Sequence, residues 1–369
     1  MTTKNSVIAF YDDRMLAHDP DIKVPFLPGH MDDQIRLLLS RLSVSSVPWI
    51  YPEQPERLEA IQHLLALQPV AGVQFETGVA ATREQLARVH DSSHLDKLFQ
   101  LRGKSAWLDV DTTAVSPGSI DAAEVAAGCS IKAVEAVIQR RAESAFALVR
   151  PPGHHAESAR AHGFCLFNNV AVAAAHARRA LGCECVMIID WDAHHGNGTQ
   201  EIFRGDQDVL FFDIHRAAPF YPGSGHLQET GPRAGHGTNI NIPVPADAGD
   251  AAYLKAFREI LRPVAKWFKP DLILVSAGFD PHCHDLALNV SYEGFAAMTG
   301  IIQSLAREYC DGRAVFVLEG GYNLISLSRG VRTVLQVLTG TAPPEPGLLG
   351  VAEVAAALSF HARHFPDSE

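Results

Sequence analysis

VMIIDWDAHHGNG, residues 186–198, joins an apolar, β-rich run to a burst of carboxylates, imidazoles and glycines. A run of four apolar residues that stops at charged groups reads as a buried strand ending at a loop that carries chemistry. The same grammar recurs at three other places. AFALV (145–149) runs into RPPGHH, LILVS (272–276) into AGFD, and AVFVL (314–318) into EGGY. Two more apolar runs, VLFFDI (209–214) and NINI (239–242), complete the strand candidates. Stretches with helical spacing lie between them, at 170–181, 251–268 and 292–309. Strands alternating with helices predict an α/β fold: an open, mainly parallel sheet with helices on both faces and the site at the carboxyl ends of the strands.

Composition sets the outer bounds. The chain has 369 residues, 47% of them hydrophobic and 20% charged, which is enough to bury a large core. Its net charge of -11 argues against a broad phosphate-binding face, so no direct nucleic-acid partner is expected. No apolar run reaches the roughly 18 residues that span a bilayer, and the start, MTTKNSVIAFYDD, lacks the pattern of a secretion signal. A cytoplasmic protein is expected. The six cysteines are scattered without the paired spacing of a structural zinc site and read as reduced, mostly core residues. A single catalytic domain over 1–340 is expected, with a peripheral tail at 341–369. Within the domain, 19–49 reads as an inserted loop whose Phe26, Leu27, Met31 and Ile35 would cover the pocket mouth or make a homo-oligomer contact.

Four polar clusters at four strand ends should converge on one site. Asp192 and His194 are two apart on an extended segment, so both point the same way and can share one ion. Asp280, at the next eligible strand end, supplies a third donor, which gives a two-Asp, one-His set suited to Zn2+ with a position left open. Asp190 is better placed as a partner of a catalytic histidine, and Asn197 could orient His155. The tandem His154 and His155 sit on a stiff Pro-Pro-Gly loop, where one can move protons while the other, tied to a carboxylate, supplies charge. Tyr322, after Gly320 and Gly321, can donate to the oxyanion that forms as an amide carbonyl is attacked.

Together and in this order, RPPGHHAE, GFCLFNN, DWDAHHGNGTQ, SAGFD and LEGGYN resemble the zinc-dependent histone deacetylases and the bacterial histone deacetylase-like amidohydrolases of the arginase-deacetylase superfamily. The resemblance runs from about His18 to Gly340. It implies one Zn2+ on Asp192, His194 and Asp280, catalysis by His154, His155 and Tyr322, and a channel walled by Phe164 and Tyr221 above Gly163, Gly320 and Gly321, with Leu286 at the rim. It also implies a structural K+ held by Asp190, Asp192, His194, Asp213 and Ile214.

Arginases carry further aspartates where this chain has Gly196 and Gly278, so a two-manganese centre is not expected. Two features depart from the family. The segment PHCHDLALNVS after Asp280 is short and lacks its Asp-Pro, and Asp213 stands where relatives place Ser. A buried carboxylate there needs a cation, a proton or a base such as Arg216. The implied activity is hydrolysis of acetyl-lysine or similar N-acyl amines. The alternatives are an acetylpolyamine or small-molecule deacylase using the same site, and a binding protein without turnover.

Overall fold

The structure is a computed structural model that describes residues 6–20, 51–109, 112–286, 288–342 and 361. The expected insert at 19–49, apart from Asp19 and Pro20, lies outside the described residues. So does the tail, apart from Thr341, Ala342 and His361.

Ten strands are described: β1 (Val7–Phe10), β2 (Val73–Glu76), β3 (Ala106–Trp107), β4 (Ala114–Val115), β5 (Ser144–Ala147), β6 (Val186–Asp190), β7 (Val209–Arg216), β8 (Asn239–Val244), β9 (Leu272–Ala277) and β10 (Ala314–Leu318). Eight form one sheet in the order β2-β1-β5-β10-β9-β6-β7-β8. Every pairing within it is parallel. β3 and β4 make a separate antiparallel pair.

The inner strands of this sheet are buried on both sides, as strands covered by helices on both sides are. The helices Ser119–Ile138 and Asn169–Leu181 pack on each other, and Glu56–Leu67, Leu324–Leu338 and Tyr292–Tyr309 pack in series. All six strands expected from the sequence are present. β1 and β2 were not expected: VQFE is half polar and only partly buried, and VIAF, although it leads into YDDR, went unread.

The expected helix over 251–268 is interrupted. A π turn, Phe257–Leu261, joins Asp250–Ala256 to Arg262–Phe268. Pro263 lacks an N–H and cannot continue the ordinary ladder, so the turn widens before it.

β5, β10, β9 and β6 are four consecutive neighbours in the middle of the sheet. They are also the four strands whose ends carry the polar clusters, and their parallel register brings those ends together. Local signals then stop the chain at the right places. The helix Asn169–Leu181 is capped by the Asn168 side chain, which accepts from Ala171 N, and it ends at left-handed Gly182. Asn323 caps the helix Leu324–Leu338 by accepting from Ile325 N and Ser326 N, which fixes the turn that carries Tyr322.

Candidate metal centre and active site

β6 ends at Asp190, and the next residues fold into a knot of backbone-to-carboxylate bonds. Asp190 Oδ1 accepts from Asp192 N at 3.0 Å, and Asp192 Oδ1 accepts from His194 N at 2.9 Å. Asp280, after β9, accepts from Ala193 N at 2.9 Å through Oδ1. Each carboxylate is therefore aimed by an amide rather than by packing alone.

The result is a tight donor set. Nδ1 of His194 lies 3.0 Å from Asp192 Oδ1 and 3.0 Å from Asp280 Oδ2, and one donor atom from each of the three residues lies within 4.8 Å of the others. Both carboxylates are fully buried, and Asp280 Oδ2 faces His194 Nδ1 across that 3.0 Å contact. Burial and the Asp192 charge push the Asp280 carboxyl up, while burial of His194 is outweighed by Asp280 and Asp192, raising the ring to about 9. The attraction that would hold a proton at Nδ1 would also hold a metal ion.

Close approach of the chain completes the cradle. A Cβ at Gly320 would lie 2.4 Å from Asp280 Oδ2, and one at Gly278 would lie 2.1 Å from Asp192 Oδ2. An aspartate at 278, as a two-metal centre would need, has no room unless Asp192 moves. Two buried oxygen donors and one imidazole, with a carboxylate oxygen to spare, fit one divalent ion.

The tandem histidines sit beside this set with ring centroids 4.0 Å apart. His154 Nδ1 is 3.0 Å from Asp190 Oδ2. His155 Nδ1 donates to Asn197 Oδ1 at 2.7 Å, which leaves Nε2 as the acceptor nitrogen of the neutral ring. Burial disfavours charge on His154, but the carboxylates of Asp192 and Asp190 outweigh it and raise the ring well above an ordinary histidine. At His155, burial and the neighbouring His154 charge act together and hold the ring well down. The two rings are thus pushed apart, one toward the cation and one toward the base.

The residues expected to wall a channel are near by. Gly163 adopts φ +59°, and a Cβ there would lie 2.3 Å from His155 Cδ2, so glycine lets the chain lie against that ring. The Tyr221 ring is edge-on to His155 at 5.1 Å. Phe164 lies 5.9 Å from the Tyr322 ring, which has the Arg57 guanidinium 5.2 Å from its centroid. Burial keeps the Tyr322 phenol protonated far above neutral pH. Leu286 is half-buried, and its N–H bonds to Asp280 O at 3.3 Å. Asp213 lies opposite Asp190 in the β6–β7 register, with Oδ1 2.6 Å from His215 Nδ1 and Oδ2 accepting from Gly196 N at 2.8 Å.

Sequence reasoning missed several contributors. Glu319 Oε2 accepts from Gly153 N and His154 N at 2.6 and 3.1 Å, anchoring the histidine loop. Burial pushes that carboxyl up to about 7. Asp285 Oδ2 accepts from Tyr322 N and Asn323 N at 2.8 and 2.7 Å. Phe220 stacks on His194 at 4.7 Å. His162 joins Tyr221 to the histidine site: its Nδ1 is 2.9 Å from Tyr221 Oη, and its Nε2 is 2.9 Å from Asn197 Nδ2. Glu319, inside EGGY, was within reach of the strand-end argument. The other contacts are long-range.

A parallel α/β sheet with a two-carboxylate, one-imidazole donor set and a paired-histidine site at its central strand ends has the parts of a hydrolase. Residues 51–338 match the histone deacetylase domain. The chain is 38% identical over 310 residues to "Histone deacetylase 14, chloroplastic" of Arabidopsis thaliana, covering 79% of this chain and 73% of that protein. It is 35% identical over 285 residues to "Histone deacetylase-like amidohydrolase" of Pseudomonas aeruginosa, covering 74% and 75% respectively. A solved structure titled "Crystal Structure of HDA15 HD domain" superposes with a TM-score of 0.85 at 35% identity, covering 99% of this chain and 97% of that one. The chain belongs to the histone deacetylase family, and with it to the deacetylase-like amidohydrolases. Among the described residues, no helix is long and apolar enough to cross a membrane.

Proposed function

We propose that the protein hydrolyses the amide of acetyl-lysine or a similar N-acyl amine, with Asp192, His194 and Asp280 holding one Zn2+. The observation that carries this reading is the convergence of those three donors, within 4.8 Å of one another, beside the tandem histidines. A divalent ion held there would polarise the acyl carbonyl and make water a stronger acid.

The chain's own groups do the rest. Asn197 holds His155 Nδ1, so Nε2 is the atom that takes a proton from the attacking water. His154, held by Asp190 and biased toward the charged form, steadies the negative charge that builds on the carbonyl oxygen. Tyr322 donates its hydroxyl hydrogen to that same oxygen. The proton taken by His155 passes to the amine nitrogen as the C–N bond breaks, so amide and water become carboxylate and amine. Phe164 and Tyr221 would flank the linear chain of the substrate. K+ near Asp190, Asp192, His194, Asp213 and Ile214 remains part of this reading.

The test is a deacylation panel on zinc-loaded protein: acetyl-lysine peptides, longer acyl-lysine peptides and acetylated polyamines, each with and without chelator. Chelator-sensitive release of acetate from the lysine peptides supports the reading. Turnover of polyamines alone transfers the same chemistry to a small-molecule substrate, and no turnover of any of them rejects it.

A further inference from the structure

The loop that replaces the family's usual segment after Asp280 places three soft or borderline donors side by side. We propose that His282, Cys283 and His284 form a second metal site, separate from the Asp192, His194 and Asp280 set, for a borderline or soft d-block cation such as Zn2+. One ligating atom from each of the three lies within 4.8 Å of the others. The Cys283 sulfur is 3.9 Å from His282 Nδ1, and the two imidazole rings are 5.3 Å apart. Thiolate and imidazole together are the donor chemistry of zinc and copper sites, whereas the deeper site offers mainly carboxylate oxygen.

The loop is built rather than loose. His282 is buried, its ring lies 4.4 Å from that of Tyr292, and its backbone bridges to Val290. Cys283 N donates to Val290 O at 3.1 Å. On this fixed base, Cys283 and His284 are exposed and line a cleft of about 710 Å³, which gives an ion an entry route and space for water as a fourth ligand. Of the six cysteines, Cys283 alone is exposed. Binding would release the Cys283 thiol proton to solvent and exchange the His284 N–H contact at His282 Nδ1, now 3.1 Å, for a metal bond.

The site touches the apparatus that carries Tyr322. Asn323 Nδ2 donates to His284 O at 3.0 Å, and Asp285, the next residue, accepts from Tyr322 N. An ion on this loop therefore sits within a residue or two of the groups that set the tyrosine's position.

Co2+ separates the two sites, because only a site containing cysteine gives a thiolate-to-cobalt charge-transfer band in the near ultraviolet. Full-length protein stripped with a chelator and titrated with Co2+ should bind two equivalents, one of which develops that band. Cys283→Ser should lose the band and one equivalent, and His284→Ala should lose the band at one equivalent of added metal. Asp280→Ala should keep the band while losing the other equivalent, so failure of one assignment is distinguishable from failure of the other. A single equivalent without the band, or a band that survives in Cys283→Ser, overturns the proposal. The outcome does not depend on whether the protein deacylates any substrate.

Discussion

Replacing Glu53 by Gln should destabilise the protein by about 3–5 kcal/mol, the range for removing one partner of a buried ion pair. Glu53 is fully buried and accepts from Arg150 Nε and Nη2 at 3.0 and 2.9 Å and from Arg57 Nη1 at 2.9 Å. His18 Nε2 lies 3.1 Å away. The amide of Gln keeps an acceptor but no charge, so it leaves two buried guanidinium groups facing carbonyls alone. One of those carbonyls belongs to Gly321, 2.6 Å from Arg57 Nε, and another to Glu319, so the loss reaches the turn before Tyr322. With an unfolding entropy of about 2.1 cal/mol/K per residue over roughly 300 described residues, 3–5 kcal/mol corresponds to a fall in Tm of about 5–8 °C. Burial alone would raise the Glu53 carboxyl, but Arg150, His18 and Arg57 hold it well below the usual carboxylate range. A depressed folded value means that the contribution is present above the unfolded pKa of about 4.3 and is lost as pH falls from there toward the folded value. Calorimetric melts of parent and Glu53→Gln should therefore differ fully at neutral pH and draw together in acid. A neutral-pH difference under about 1 °C, small against the shift expected from the unfolding entropy, would refute the reasoning.

Tyr322→Phe should retain its metal yet lower kcat by about 100-fold or more, as loss of one oxyanion donor does; unchanged turnover removes Tyr322 from the chemistry. Asp192→Ala and Asp280→Ala should each fail to hold Zn2+ at the deep site, because two remaining ligands bind weakly. Full occupancy there by metal analysis, with Cys283→Ser as background, would contradict the donor assignment. His155→Ala should cost more activity than Phe164→Ala, since it removes the proton acceptor rather than a wall. A His154→Ala variant that is far worse than an active His155→Ala would exchange the two roles.

The sheet was readable because parallel strands buried on both faces are unbroken apolar runs, and the site was readable because such strands expose their carboxyl ends. VMII, LILVS and AVFVL each announce both facts at once. VIAF, followed by YDDR, announces both as well, so β1 was legible and went unread. Contacts set by tertiary approach left no comparable trace. Nothing in the spacing of Asp285 and Tyr322 says that one accepts from the backbone of the other, and nothing in DRMLAHDP says that His18 meets Glu53 or that the Met15 carbonyl accepts from Arg150. The same limit applies to HCH at 282–284, whose meaning depends on how a short loop folds back on Val290.

Asp213 has a partner on its own strand. The side-chain alternation that pairs Asp192 with His194 applies equally to Asp213 and His215 on β7, two apart and on one face. The family resemblance gives this carboxylate to a potassium ion, with Arg216 or another base as the alternative partner, and His215 is such a base. In the structure the Arg216 guanidinium lies 4.5 Å over the Phe220 ring, and His215 Nδ1 meets Asp213 Oδ1 at 2.6 Å. The far side of that imidazole, Nε2, is 3.1 Å from Gly225 O, and the other carboxylate oxygen takes the Gly196 amide. Gly225 permits this because a Cβ there would lie 2.5 Å from His215 Nε2. A carboxylate in place of a hydroxyl thus comes with an imidazole two residues on and a glycine to admit it. The substitution at 213 is therefore compensated within its own strand and the neighbouring loops, and burying the extra charge does not by itself require a tighter monovalent ion beside Asp190.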